Sequence, residues 1–483
     1  MSLRDKTISA VGWSAIDNVS YISVSFIVGI VLARLLSPDD FGLIGVITVF
    51  TAVCNTLINS GFASALVRKK DVTQDDYNTA FTINLLISIF LYIIIFIFSP
   101  YIAIFFSRNE LSLLIKVSSL ELVIGALAIT QKACLTKNIN FKSQAKVTLI
   151  STLASGVICI TLAWGGAGVW ALIFQILTKT SIQTILLWFV NKWSPALRIT
   201  KESFYNLFEY GWKVMLNDCL HSIWSESFQL VIGKCYSTAS LGQYTRSKQF
   251  SFIFSSNLTN VVQRVSFPVL SSIQEDKDRM VRAYRRIIRT TMFATAISML
   301  FLSSISEPLV YCLIGPQWHE ASVYLPLLCL SASTYPLQAM NKNMLQVQGR
   351  SDILLSLGLI EKIICTVPLI FGVFVGIIPM LIANLISWII MFFFNSYYSG
   401  RLIGYSTMKQ LSDVVPSYAI GLIIALPLFY FKFLPFSYWV ILPLQLLFCL
   451  SMLFIICEHY KIYEYIELKN LGIKYMKNIA MKT

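Results

Sequence analysis

The sequence predicts an all-α integral membrane protein of about fourteen transmembrane helices, and three observations predict it. Of its 483 residues, 56% are hydrophobic and only 13% charged, against about a quarter charged in ordinary soluble domains. Uncharged runs such as Phe41 to Val67 and Tyr77 to Ser107 exceed the roughly 20 apolar residues that cross a bilayer as a helix. Basic residues also sort between alternate connections: 28 lysines and arginines fall on one side and seven on the other. That is the positive-inside pattern, and it places both termini in the cytoplasm. Segments of about ten residues with alternating polarity, which outer-membrane strands require, are not seen.

Taken in order, the hydrophobic runs give spans near 11–36, 41–67, 79–106, 111–134, 147–164, 167–190, 207–232, 243–267, 287–313, 321–341, 353–375, 377–398, 414–433 and 438–457. The division inside 147–190 falls at Trp164 to Gly168, because an unbroken helix there would reach about 65 Å at 1.5 Å per residue. Met1 to Thr7 is polar and the apolar segment from Val11 to Leu36 has no A-x-A-like site, so the first span is expected to be retained rather than cleaved. The ten cysteines are scattered without a C-x-x-C pair and read as small membrane hydrophobes, not as disulfides or zinc ligands. A net charge of +14 would suggest nucleic acid in a soluble chain. Here the sorting of cations accounts for it, and no nucleic-acid partner is expected.

The first and seventh spans echo one another. Gly12-Trp13 with Asn18 recurs as Gly211-Trp212 with Asn217, and LARLLSPDDFG recurs as IGKCYSTASLG, matching Arg34 to Lys234, Ser37 to Ser237 and Gly42 to Gly242. Six crossings return a chain to the same side, so the expected halves, residues 1–200 and 201–400, are parallel repeats of six helices each. Such repeats are a transporter signature with the substrate path between them. Residues 401–460 add two helices, and 461–483 form a basic cytoplasmic tail.

Charge at the centre of a spanning helix costs about 2.5–3.5 kcal/mol, so each such residue needs a partner or a watery cavity. In the first span Ser14, Asp17, Asn18, Tyr21 and Ser25 fall within one helical stripe. The seventh carries Glu209, Lys213, Asn217 and His221 at intervals of four, with Asp218 and Glu226. Two repeat-related helices with polar faces predict the walls of a shared aqueous cavity; helix-to-helix hydrogen bonding, with Glu209 and Lys213 as an i,i+4 pair, is the alternative. Lys179 lies inside the sixth span with no acid near it in sequence, while Arg246 and Lys248 open the eighth, where snorkelling to headgroups competes with a cavity role. Glu361 and Lys362 are adjacent in the eleventh span and rank lower.

Arg279, Arg282, Arg285 or Arg286, and Arg289 recur at three- and four-residue steps. This basic stripe is expected to lie along anionic headgroups, with capture of a phosphorylated lipid as the sharper reading. Enzyme signatures are missing: there is no G-x-x-x-x-G-K-[ST], H-E-x-x-H or G-x-S-x-G. Gly166 to Ala171 fits G-x-G-x-x-A but sits in a short turn with no strand before it, and His221, His319 and His459 are too dispersed for a metal.

With these elements placed, ARLLSPDDFG, FPVLSSIQEDKDRMVRAYRR (Phe267 to Arg286), LIGPQWHEA (Leu313 to Ala321) and LQVQGRSD (Leu345 to Asp352) resemble landmarks of the polysaccharide-exporting flippases of the multidrug/oligosaccharidyl-lipid/polysaccharide superfamily, nearest its Wzx-type branch. The resemblance implies a V-shaped pair of six-helix lobes alternating between inward- and outward-open states in the bacterial inner membrane. It implies a cargo of undecaprenyl-diphosphate-linked oligosaccharide, delivered to lipopolysaccharide O-antigen, capsule or exopolysaccharide synthesis beside a polymerase and a chain-length regulator. Lys179, Lys213, Arg246 and Lys248 become candidates for holding the diphosphate; Asp17, Asn18, Asn217, Asp218, His221 and Glu226 become polar cavity groups. No cofactor is expected. A diphosphate bearing about two negative charges gains on the order of 4–5 kcal/mol per 100 mV on moving outward, so the membrane potential, H+ or Na+ could drive the cycle.

A cation-coupled drug exporter of the same superfamily, expected to have twelve spans and an acidic cavity, and a peptidoglycan-precursor flippase are the alternatives. A membrane glycosyltransferase or polymerase would need a large outer loop that this chain lacks. The turn Ser-Pro-Asp-Asp at 37–40 reads as punctuation, with Ser37 or Asp39 capping the second helix. The repeat-paired Arg34 and Lys234 are expected to flank the outer gate.

Overall fold

The computed structural model describes residues 3–59, 61–191, 193–467 and 469–470, with side chains from Trp13 and from residue 17 onward. The side chain of Ser14 and the tail beyond residue 470 lie outside what is described. Among those described, every regular element is helical.

Two compact units, Met1–Gly242 and Gln243–Thr483, divide the chain. The first holds α1 (Leu3–Leu35), α2 (Pro38–Asn59), α3 (Phe62–Arg68), α4 (Gln74–Phe105), α5 (Glu110–Ser118), α6 (Leu120–Lys137), α7 (Phe141–Trp164), α8 (Val169–Val190), α9 (Lys201–Cys235) and the start of α10 (Thr238–Ser272). The second holds the rest of α10, then α11 (Lys277–Ser304), α12 (Ser306–Ile314), α13 (His319–Val347), α14 (Ser351–Phe374), α15 (Ile377–Ile403), α16 (Thr407–Tyr430) and α17 (Tyr438–His459). In the first unit α1 packs on α7, and α9 packs on α2, α3 and α4. Compactness and repeat are different divisions: α9 matches α1 in sequence yet lies in the same compact unit.

Eleven stretches of described helix are long and apolar enough to cross a membrane: α1 from Asp17, α2 with α3, α4, α5 with α6, α7, α8, α11, α14, α15, α16 and α17. The expected count of fourteen needs α9, α10 and α13 as well. These have 35, 35 and 29 residues, ample length, but fall outside the apolar set. In α9 the reason is its run of Glu209, Lys213, Asn217, Asp218, His221 and Glu226. The outer surfaces are apolar, with Phe189 82% and Phe374 81% exposed, while Ser88, Gln131, Ser155, Asn341 and Asn395 are buried. An apolar outside over a hydrogen-bonding inside is the pattern lipid selects, because apolar contact alone gives helices no reason to associate there.

Capping residues set the helix starts. Ser37 and Asp40 reciprocate at α2: the Asp40 amide donates to Ser37 Oγ (3.2 Å), and the Ser37 amide and hydroxyl donate to Asp40 Oδ2 (2.9 and 2.7 Å). Two hundred residues on, the Ser240 amide donates to Ser237 Oγ (3.0 Å) at the start of α10. Asp40 is therefore punctuation, as expected. Asp39 is not a cap: its carboxylate pairs with Arg108 and accepts the Thr238 hydroxyl.

The sequence-matched segments at 38–42 and 238–242 meet in reciprocal contact. A Cβ on Gly42 would stand 1.6 Å from the Thr238 carbonyl oxygen, and one on Gly242 would stand 1.9 Å from that of Pro38. Each glycine thus abuts the first residue of the other's helix. Later in the chain the turn joining α6 to α7 matches that joining α13 to α14. Ile139 and Gly349 have φ of 56° and 68°, and Asn140 and Arg350 have φ, ψ of −93°, 63° and −90°, 63°. Three backbone bonds coincide: Asn138 to Cys134 and Gln348 to Met344, Ile139 to Thr136 and Gly349 to Gln346, Asn140 to Leu135 and Arg350 to Leu345.

The basic stripe on α11 departs from expectation. Arg285 makes a two-pronged pair with Asp413 (2.5 and 2.6 Å), Arg286 reaches Glu467 and Arg289 reaches Glu464 (2.5 Å). Arg285 and Arg286 stay exposed while paired, and Arg279 and Arg282 are exposed with no ion pair among the described residues. The spacing was right but the acids are distant in sequence: they come from α16 and from residues 464 and 467. Tyr405 also donates to Asp413 (2.6 Å), and burial together with that carboxylate pushes its phenol above the usual range.

Candidate functional site

The first unit contains a cavity of about 400 Å3 between α2 and α9, lined by Asn55, Thr56 and Asn59 from α2 and by Asp218, His221, Ser222 and Ser225 from α9. That volume lies within the range of about 300–1,000 Å3 typical of small-molecule sites. Its walls are amides, hydroxyls, one imidazole and one carboxylate, with no lysine or arginine among them. Such a lining suits a hydroxyl-rich ligand that both donates and accepts hydrogen bonds, and it is a poor seat for a diphosphate.

Helical spacing builds the site. Asn55 and Asn59 are one turn apart on α2, as Asp218 and Ser222, and His221 and Ser225, are on α9. Asn59 Nδ2 donates to the Asn55 carbonyl (2.8 Å) and Thr56 to Ala52 (2.9 Å), so part of the α2 wall is held by its own helix. Asn217 donates to Asp218 Oδ1 (3.2 Å). At the far end of the wall Ser225 donates to Ser222 O (2.9 Å) and to Glu226 Oε1 (3.2 Å), and Gln229 also donates to Glu226. Glu226 is engaged with its own helix rather than lining the cavity. The close approach of Gly211 to the backbone of Gly61, where a Cβ would stand 2.8 Å from its carbonyl oxygen, seats α9 against the start of α3.

Of the residues singled out in sequence, Asp218 and His221 meet in this cavity, with Asn217 beside them. Lys213 is exposed and makes no ion pair with Glu209. Asp17 lies elsewhere, at the α1–α7 contact near Thr148 and in the field of Lys132, and its Oδ1 is buried without a hydrogen-bond partner. Asn18 is half-buried. Lys179 on α8 donates to the Tyr21 hydroxyl (3.1 Å) and stands 4.4 Å from the ring centroid. Sequence left Lys179 without an acid; the fold supplies Glu121 on α6, within its electrostatic reach. Arg246 and Lys248 belong to the second unit, where Arg246 Nη1 donates to Gln249. Arg34 is exposed. Lys234 caps the end of α4 by donating to the Phe105 carbonyl (2.6 Å), with its ammonium 4.3 Å from the Phe105 ring centroid.

Sequence reading missed Asn55, Thr56 and Asn59, although three polar groups at one-turn spacing in an otherwise apolar run were a legible signal. It also placed Lys342 in a connection. Lys342 lies within α13 and pairs with Glu361 of α14 at 2.5 Å, so Glu361 is neutralised from α13 and not by the adjacent Lys362.

Comparison with known proteins agrees with this architecture. The chain is 25% identical over 331 residues to the succinoglycan biosynthesis transport protein ExoT of Rhizobium meliloti, covering 68% of this chain and 67% of that one. It is 23% identical over 445 residues to the lipopolysaccharide biosynthesis protein WzxC of Escherichia coli, covering 88% and 89%. Its fold is similar to that of the lipid II flippase MurJ in an inward closed conformation, with a TM-score of 0.73 at 17% identity, covering 94% of this chain and 99% of that one. Residues 31–323 match the model of the family described as polysaccharide biosynthesis protein. The chain is a multi-pass, all-α membrane protein and belongs to that polysaccharide biosynthesis family.

Proposed function

We propose that this protein is a flippase that carries undecaprenyl-diphosphate-linked oligosaccharide from the cytoplasmic to the outer leaflet of the bacterial inner membrane, for O-antigen, capsule or exopolysaccharide synthesis. The observation that carries the reading is the α2–α9 cavity: an open, hydroxyl- and amide-lined cleft of about 400 Å3 in a unit whose outer surface is apolar. An exporter of cationic drugs would need a cavity biased to acids, whereas Asp218 is the one acid lining this one. A sugar headgroup matches the remaining lining, and family membership supports the polysaccharide pathway. The fourteen-span topology, cytoplasmic termini, paired lobes, polymerase and chain-length partners belong to the same proposal.

The test is genetic and chemical. Deleting the gene in a strain without a paralogue should leave the lipid-linked repeat unit inaccessible to a lectin or oxidant applied from outside spheroplasts. Normal surface polysaccharide in that strain would refute the reading.

A further inference from the structure

The matching turns fix a register of 210 residues across this part of the repeat, and that register sets Lys132 of α6 on Lys342 of α13. Both lysines stand five residues before their helix ends, about 7.5 Å inside at 1.5 Å per residue. Each follows a fully buried amide: Gln131 donates to the Trp193 carbonyl (3.0 Å), and Asn341 accepts from Tyr284 (3.1 Å). Those anchors fix the helix face on which the lysine beside each stands. Lys132 is exposed, and the Lys342 side chain is 32% exposed.

A carboxylate from another helix of its own unit bears on each lysine, as an ion pair at Lys342 alone. Lys342 holds Glu361, while Lys132 lies in the field of Asp17, whose Oδ1 is buried and has no hydrogen-bond partner. The two acids are not repeat-related: Asp17 is on α1 and Glu361 is on α14, the mate of α7. The cation is the shared feature, and the acid is supplied from a different helix each time. A structural ion pair gives no reason for that asymmetry. A cationic site that needs some counter-ion while empty does, since an uncompensated charge within a span is costly.

We propose that Lys132 in the first unit and Lys342 in the second are two phosphate-binding positions, one in each unit, where the diphosphate of the lipid-linked substrate meets the ammonium and, at Lys342, takes the place of Glu361. The proposal rests on the flippase reading and extends it by assigning the anion, for which the α2–α9 cavity has no cation. A diphosphate brings more charge and more acceptor oxygens to an ammonium than one carboxylate does, and the exchange keeps Lys342 compensated throughout. With the proposed topology both positions lie at the cytoplasmic end of their helices, the leaflet where such a substrate is made.

The experiment measures binding of undecaprenyl diphosphate to the purified full-length protein in nanodiscs, with phosphatidylglycerol as the competing source of lipid phosphate. Lys132→Gln and Lys342→Gln should each weaken undecaprenyl diphosphate binding by about tenfold and leave phosphatidylglycerol retention unchanged. Lys342→Arg should retain binding, and Glu361→Gln should tighten it. The exchange Lys342→Glu with Glu361→Lys should restore the thermal midpoint but not the binding. Restored binding in that exchange would reduce the pair to a structural one and overturn the proposal. So would equal loss of both lipids, which marks headgroup anchors, or folded glutamine variants that bind like the wild type. A wild type that binds no undecaprenyl diphosphate would overturn the flippase reading together with this one, so the two failures are distinguishable.

Discussion

Gly42→Ala should abolish accumulation of folded protein. The new methyl would stand 1.6 Å from the Thr238 carbonyl oxygen, a backbone atom that no side-chain rotation can move aside. Overpacking of a tight contact costs about 1–3 kcal/mol when neighbours can shift, and here the neighbour is the opening residue of another helix. Gly242→Ala should fail similarly, because its methyl would meet the Pro38 carbonyl at 1.9 Å. Gly358, inside α14 with nothing within 4 Å of its would-be Cβ, is the control: alanine there should be tolerated or raise stability by about 1 kcal/mol. Fluorescence-detected size exclusion and thermal midpoints of the three variants decide the matter. A monodisperse, wild-type-like Gly42→Ala would refute the contact.

Asp413→Ala should destabilise the second unit by about 2–4 kcal/mol. The change leaves the buried Tyr405 hydroxyl without its acceptor, worth about 1–3 kcal/mol, and removes the two-pronged partner of Arg285. Since the Arg285 side chain is 52% exposed, water recovers much of its solvation and the pair's share is discounted accordingly. Arg285→Ala should therefore cost less than Asp413→Ala, and Asp413→Asn should fall between wild type and alanine. The order of the three thermal midpoints is the measurement. An Arg285 variant weaker than the Asp413 variant would show that the guanidinium, and not the Tyr405 hydroxyl, depends most on this carboxylate.

Much of the fold was legible because lipid imposes simple rules on sequence. Eleven of the fourteen expected spans follow from length and apolar composition, the break at Trp164 to Gly168 from helix reach, and the contact of the two matched turns from Ser37 and Gly42 recurring two hundred residues on. What could not be read were partners across distance. The stripe on α11 announced its spacing but not Asp413, Glu464 and Glu467, which lie more than a hundred residues further along the chain. Lys179 found Tyr21 and Glu121 only once α1, α6 and α8 were placed. The candidate site was half legible: α9 displays its polar face as a dense run, whereas Asn55, Thr56 and Asn59 are diluted in the apolar α2. Lys342 was assigned to a connection because charge near a span's end is ambiguous by a turn of helix, and only the matching turn geometry settles its register.

That geometry also bears on how the two turns are matched. At the α6–α7 turn a β-branched residue, Ile139, occupies the left-handed backbone region that Gly349 adopts freely in the other copy, a conformation unfavourable for such a side chain. The two turns thus share the path of the main chain, while only one of them carries the residue best suited to it. The match between them is plainer in dihedral angles than in letters. A correspondence judged by residue identity alone would be overlooked at the very turn that aligns the two lysines.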